Sequence, residues 1–211
     1  MIKNLYGLIV WMKKKEIILW PFFYKINKLL VNLLYPIIAR FSKRNGLDET
    51  SEIIVSLTSF PDRINTVWIT ISTLLNQTLK PKKIILWLAE NEFPTHQVPK
   101  SLERMKKRGL EIRFCDDLKP HKKYFFAMNE FPENIIVTAD DDIFYPENNL
   151  EKLENEYKKN KNSVICHWSH KIGFDQRGDF LPYNDWKTND KELSCLCTIP
   201  IGCNSVLYPP G

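Results

Sequence analysis

From residue 50 onward the chain reads as an α/β fold, a mostly parallel sheet covered by helices on both faces, and three observations lead there. Short apolar runs rich in β-branched residues recur along it, and the segments between them repeat apolar residues at helical spacing. The run at residues 135–139 is apolar or β-branched throughout, as a strand buried on both faces in a parallel sheet must be. Polar residues gather directly after these runs, at the strand ends where open α/β sheets bind ligands.

Residues 53–57, Ile-Ile-Val-Ser-Leu, make the first strand. Ile64, Val67, Trp68, Ile71, Leu74 and Leu75 then recur at helical spacing, with Pro61 near the helix start and Pro81 beyond its end. Residues 84–88 form the second strand. A loop with two prolines occupies 91–99, and a helix over 101–108 is stopped by Gly109. Residues 111–115 are the third strand, 121–129 a short helix and 135–139 the fourth strand. Leu150, Leu153 and Tyr157 mark one stripe of a helix over 147–159, and 164–167 reads as a fifth strand, which the strand-helix alternation adds to the parallel sheet.

The first 47 residues differ from the rest. They hold nine Lys and Arg against Glu16 alone, +8, whereas residues 48–211 hold 21 against 24, −3, which together give +5. Their longest stretch without charge, residues 29–39, is 11 residues, and a span needs about 20. Residues 5–12 lead into Lys13-Lys14-Lys15 and not into a small-residue cleavage site, so they do not read as a secretory signal. Two readings stand: the segment lies in the headgroup region of an anionic leaflet, or it packs on the body with its lysines in water. Residues 42–51 join it to the body. Nucleic-acid binding is disfavoured, because the body is net acidic and the basic segment too apolar for a phosphate-tracking arm. Five cysteines, Cys115, Cys166, Cys195, Cys197 and Cys203, lack the paired spacing of a zinc site or a complete disulfide framework and fit a reducing cytoplasm.

The fourth strand ends in Asp140-Asp141-Asp142. Neighbouring carboxylates repel by about 1 kcal/mol per pair in water and about 4 near a protein surface, a cost relieved by protonation or by a cation. All-oxygen ligands favour Mg²⁺ or Mn²⁺. In extended backbone Asp140 and Asp142 share a face, so the outer two are the natural metal pair; a solvated acidic turn is the plainer reading. After the first strand come Thr58, Ser59, Phe60, Pro61, Asp62 and Arg63, and after the third Asp116-Asp117 with Lys119, Lys122 and Lys123. Hydroxyl, cations, aromatic and metal pair on one rim suit a nucleotide diphosphate. No glycine-rich phosphate loop is present.

Residues 53–63, followed by 73–87 (TLLNQTLKPKKIILW), resemble the start of a bacterial, family-two-like GT-A glycosyltransferase, and residues 134–146 (NIIVTADDDIFYP) resemble that fold's Asp-x-Asp metal motif in its usual place after a strand. The resemblance implies a Rossmann-like GT-A three-layer sandwich over residues 48–211, C-terminally truncated. Asp142 becomes the direct metal ligand, Asp140 a partner to metal and ribose, and the cation Mn²⁺ or Mg²⁺. Thr58, Phe60, Arg63, Asp116 and Asp141 fall in the nucleotide pocket, with Lys122 or Lys123 at the diphosphate, since only one of two neighbours can face it. Residue by residue, Arg63 also reads as a surface ion pair, Phe60 as a helix staple and the lysines as a wet helix face. The implied reaction moves a sugar from a nucleotide sugar, UDP-linked, to a cell-envelope glycan or lipid-linked acceptor, on the cytoplasmic side and with peripheral membrane contact.

The general base is not identified by any motif. Asp175, Asp179, Asp185 and Asp190 are its candidates, His167 and His170 possible metal or phosphate contacts, and Tyr183 and Trp186 possible stacking partners for a sugar; each alone also fits a structural role. A non-catalytic or truncated relic of such an enzyme is a second function class. A metal-dependent phosphohydrolase is a third, disfavoured because Ile143-Phe144 occupies the place of the expected nucleophile or second metal set.

Overall fold

The computed structural model describes residue 8 and residues 11–15, 18–42, 46–188 and 196–211. In chain order the elements are α1 (Trp20–Phe41), β1 (Ile53–Thr58), α2 (Val67–Leu74), β2 (Lys83–Ala89), α3 (Lys100–Lys106), β3 (Leu110–Cys115), α4 (Lys122–Glu130), β4 (Ile135–Ala139), α5 (Asn149–Lys159), β5 (Ile165–Cys166), β6 (Ser169–Lys171), β7 (Lys187–Thr188), β8 (Thr198–Pro200) and β9 (Val206–Tyr208). A single 3₁₀ turn, Lys119–His121, leads into α4, and another, Tyr183–Asp185, precedes β7.

The six-stranded sheet has the order β3-β2-β1-β4-β9-β5 and is mostly parallel: β1 pairs with β2 and β4, and β2 with β3, all parallel. Alternation along the strands sorts their side chains into two layers. Ile53, Val55, Leu57, Leu86 and Val137 join the core under α2, α3 and α5, while Ile54, Ile85, Trp87 and Ile136 join Ala127 of α4 on the other face. The chain winds outward from β1 to β3 and then returns to the far side of β1 as β4. The strand order reverses there, so the exits of β1 and β4 lie side by side on the rim where open α/β sheets take their ligands.

Strands β1, β2, β3 and β4 lie where the apolar runs place them, within a residue at each end. The helix expected from Ile64 begins at Val67, because turns closed by Arg63 and Ile64 N–H groups on the Phe60 carbonyl, both at 3.0 Å, occupy the residues before it. Gly109 stops α3 as expected, at φ 109°, in the left-handed region. The fifth strand is the correction. Only Ile165–Cys166 pairs, and it does not adjoin β4; β9 lies between them, antiparallel to both. Val206 and Leu207 are buried there, but a three-residue strand shows no periodicity to read. Beyond the main sheet, β7-β6-β8 form a small antiparallel sheet.

Helix α1 packs on the body along one side, through Tyr35 and Ala39 against Trp68, Ile69 and Phe144. Tyr35 meets Phe144 edge to face at 5.5 Å between ring centres. Among the described residues no helix is long and apolar enough to cross a membrane.

Candidate nucleotide and metal site

The chain leaves β4 at Ala139 and turns at Asp141 and Asp142, which separates the three carboxylates by environment. Asp141 is buried. It accepts hydrogen bonds from Ser59 Oγ at 2.7 Å and Arg63 Nη1 at 2.8 Å, and its carbonyl accepts from Thr70 Oγ1 at 2.9 Å. The middle aspartate thus clasps the β1 exit loop to the β4 exit. Arg63 Nη1 reaches Asp142 at 2.8 Å as well, and the pairing with Asp141 first, then Asp142, raises the guanidinium pKa further. Asp142 remains half exposed. Asp140 pairs with Lys123 of α4, and its backbone N–H donates to the Tyr145 hydroxyl at 2.8 Å. Burial pushes that phenol well above its usual range, so it stays protonated.

Of the two adjacent lysines, Lys123 is the one that faces the acids. Lys122 is buried and turns the other way, 2.8 Å from Asp117 and 3.9 Å from Glu92. Hydrogen bonds from Lys119 and then Lys122 hold the Asp117 carboxyl below the usual carboxylate range. The backbone of Lys123 is fixed from below: its carbonyl accepts the Ser56 hydroxyl, which in turn accepts Trp87 Nε1–H at 2.9 Å. The start of α4 therefore stands between two acidic groups, Asp117 on one side and Asp140 on the other.

Thr58 uses its hydroxyl within the sheet, donating to the Trp87 carbonyl at 2.8 Å. Phe60 is exposed and carries the Arg63 guanidinium over its ring at 5.4 Å, so it lies outside the core and does not staple the helix. Asp116 lines two adjoining clefts at the exits of β2 and β3. One, about 540 Å³, is bounded also by Glu90, Asn91, Pro94, His96 and Asp117; the other, about 450 Å³, by Trp87, Phe114, Phe126, Asn129 and Glu130. His96 stacks flat on Phe114 at 3.9 Å between the first cleft and the second. Cys115, shared by both clefts, has its thiol pushed up to about 11 by burial.

Among the described residues no group of three or more His, Cys, Asp or Glu side chains is arranged to hold a metal ion. Two carboxylates remain, Asp140 and Asp142, each held by one exchangeable cationic side chain. That donor set fits Mg²⁺ or Mn²⁺, which bind through one or two carboxylates and complete their shell with water and substrate phosphate.

The downstream candidates separate. Asp175 accepts the backbone N–H groups of Arg177 and Asp179 at 2.8 and 3.0 Å and holds a turn, while Asp179 and Asp185 are exposed; Asp190 lies outside the described residues. His170 sits between Trp168 and Tyr183, with ring centres at 5.4 and 5.6 Å, and Tyr183 meets Trp186 at 5.3 Å. The buried Nδ1 of His170 has no hydrogen-bond partner among the described residues. His167 is exposed and belongs to no such cluster.

Several site residues escaped the sequence reading: Ser59 and Tyr145 as clasps, Glu90 and His96 in the cleft, and the loop before β9. In that loop Asn204 and Ser205 both have φ 76°, and Cys203 feels the charges of Asp140 and Asp142, although burial is what chiefly raises its pKa. Positive φ is the signal that His96, with φ 53°, shares with the successive Asn204 and Ser205 beside the acid cluster, and it is a backbone signal to which residue type gives a clue at His96 and Asn204 and none at Ser205. Set against models of known protein families and against curated proteins, the chain matches none.

Proposed function

We propose that this chain is a metal-dependent glycosyltransferase, transferring a sugar from a nucleotide sugar, UDP-linked, to a hydroxyl of a cell-envelope glycan or lipid-linked acceptor at the cytoplasmic face of the membrane. The observation that carries the reading is the place of the acids: Asp140 and Asp142 stand at the switch point of the sheet, gripped by Arg63 from the β1 exit and Lys123 from the β3 side. Support comes also from the likeness of residues 53–63 and 134–146 to the GT-A pattern.

Chemically, the clefts and the rim divide the donor between them. Glu90, Asp116 and Asp117 repel phosphate but accept hydrogen bonds, which suits the N–H and O–H donors of a base and ribose. The diphosphate then falls on the cationic side. Arg63 and Lys123 neutralise the acids in the free protein and are placed to swing to phosphate oxygens, which leaves Asp140 and Asp142 for the cation. A bound Mn²⁺ or Mg²⁺ supplies Lewis-acid stabilisation of charge on the leaving diphosphate. Asp141, tied to Ser59 through its carboxylate and to Thr70 through its carbonyl, keeps the β1 and β4 exits at fixed spacing and is a positioning residue. The aromatic group of Trp168, Tyr183 and Trp186 offers stacking faces for the acceptor sugar.

Incubation of the full chain with UDP-sugars tests the reading. UDP release should require Mn²⁺ or Mg²⁺ and quicken with glycan acceptor. Metal-dependent hydrolysis of simple phosphate esters without sugar transfer would instead identify a phosphohydrolase and overturn it.

A further inference from the structure

Among the described residues helix α1 meets the body along one side. Opposite Tyr35 and Ala39, the residues Phe22, Ile26, Leu29, Leu33, Ile37 and Phe41 recur at three- and four-residue spacing, and all are exposed, from 38% at Ile26 to 75% at Phe41. An apolar stripe along a 22-residue helix marks a contact surface.

Charge decides what covers it. Helix α1 carries Lys25, Lys28 and Arg40 and no acidic residue, and residues 1–47 hold nine Lys and Arg against Glu16. A second copy of the helix would bring like charges together with nothing to pair them. An anionic bilayer offers acyl chains to the stripe and headgroup charge to the cations. Exposed Trp11 and Tyr24 are residues of the water–lipid boundary, and lysine stems on such a helix let their ammonium groups reach the headgroup layer.

We propose that α1 is a lipid-docking face: it lies in the plane of an anionic membrane with the Phe22–Phe41 stripe turned toward the acyl chains and the Tyr35 side on the body. The docking surface stands apart from the transferase reading. Combined with it, the packing of Tyr35 on Phe144, two residues beyond Asp142, ties the acid rim to the membrane-bound helix and favours a lipid-linked acceptor.

Co-sedimentation of the full chain with phosphatidylcholine vesicles, with and without phosphatidylglycerol, tests it, alongside size-exclusion chromatography and UDP titration. The chain should pellet with the anionic vesicles and be released by salt. Leu29→Asp/Leu33→Asp, at exposed positions, should weaken vesicle binding about tenfold or more, and Lys25→Glu/Lys28→Glu should weaken it on anionic vesicles alone; both should bind UDP as the parent does. Undiminished vesicle binding by Leu29→Asp/Leu33→Asp overturns the proposal, as does equally tight, salt-insensitive binding to neutral vesicles. So does a lipid-free dimer that this variant converts to monomer with vesicle binding unchanged, since the stripe would then join two copies. Loss of UDP binding in every form, parent included, sinks the site reading and leaves the vesicle result to stand alone.

Discussion

Asp141 and Asp142 are neighbours with opposite duties, and the difference is measurable. Asp141→Ala leaves buried Ser59 without its acceptor and takes from Arg63 Nη1 one of its two carboxylates, a loss of about 1–3 kcal/mol that urea unfolding should register. Asp142→Asn, at a half-exposed position, should leave stability within about 0.5 kcal/mol. The two lysines separate in the same way. Lys123→Ala should weaken metal-dependent UDP binding by about 1.5–3 kcal/mol, as loss of a charge-assisted hydrogen bond does, whereas Lys122→Ala should lower the melting temperature by leaving Asp117 without its buried partner. Cys115 supplies a pH test. With its thiol pushed up to about 11, only about one part in a thousand is thiolate at pH 8, so iodoacetamide should leave it unlabelled until the protein unfolds. The raised value stabilises the fold below about pH 9, and that contribution should fade as pH climbs toward about 11.

At the scale of elements, what could be read in advance was whatever carries its own pattern. Strands β1, β2 and β4 are apolar runs, because both their faces are covered, and their ends were legible to within a residue or two. β9 was not, for its three residues gain their meaning only from β4 and β5 on either side. Leu207→Ala should therefore cost about 2–5 kcal/mol, the figure for a fully buried leucine, in a segment that looks like a tail. The choice between Lys122 and Lys123 was equally hidden: adjacent helix positions point about 100° apart, and only the tertiary setting says which direction holds Asp140. Gly46 shows how the α1 segment joins the body. A Cβ there would lie 2.3 Å from the Leu75 carbonyl oxygen, so Gly46→Ala should force the backbone apart and cost about 1–3 kcal/mol in thermal unfolding.

The whole molecule draws these features to one edge. The switch point between β1 and β4 was legible only as polar clusters after strands, because strand order is a property of long-range pairing; once the order β3-β2-β1-β4 is set, the Ser59–Arg63 loop and Asp140–Asp142 must lie side by side. The lysine that completes it arrives from α4, and the apolar helix α1 lies against the same loop through Phe144. In the proposed function the outer two aspartates hold a divalent cation against a nucleotide diphosphate. Isothermal titration of UDP into the full chain, with Mn²⁺ and with chelator, measures it most directly. The parent should bind UDP only with the metal, and a folded Asp142→Asn should not bind it; UDP affinity that is indifferent to Mn²⁺, or unchanged by that substitution, would rule the metal pair out.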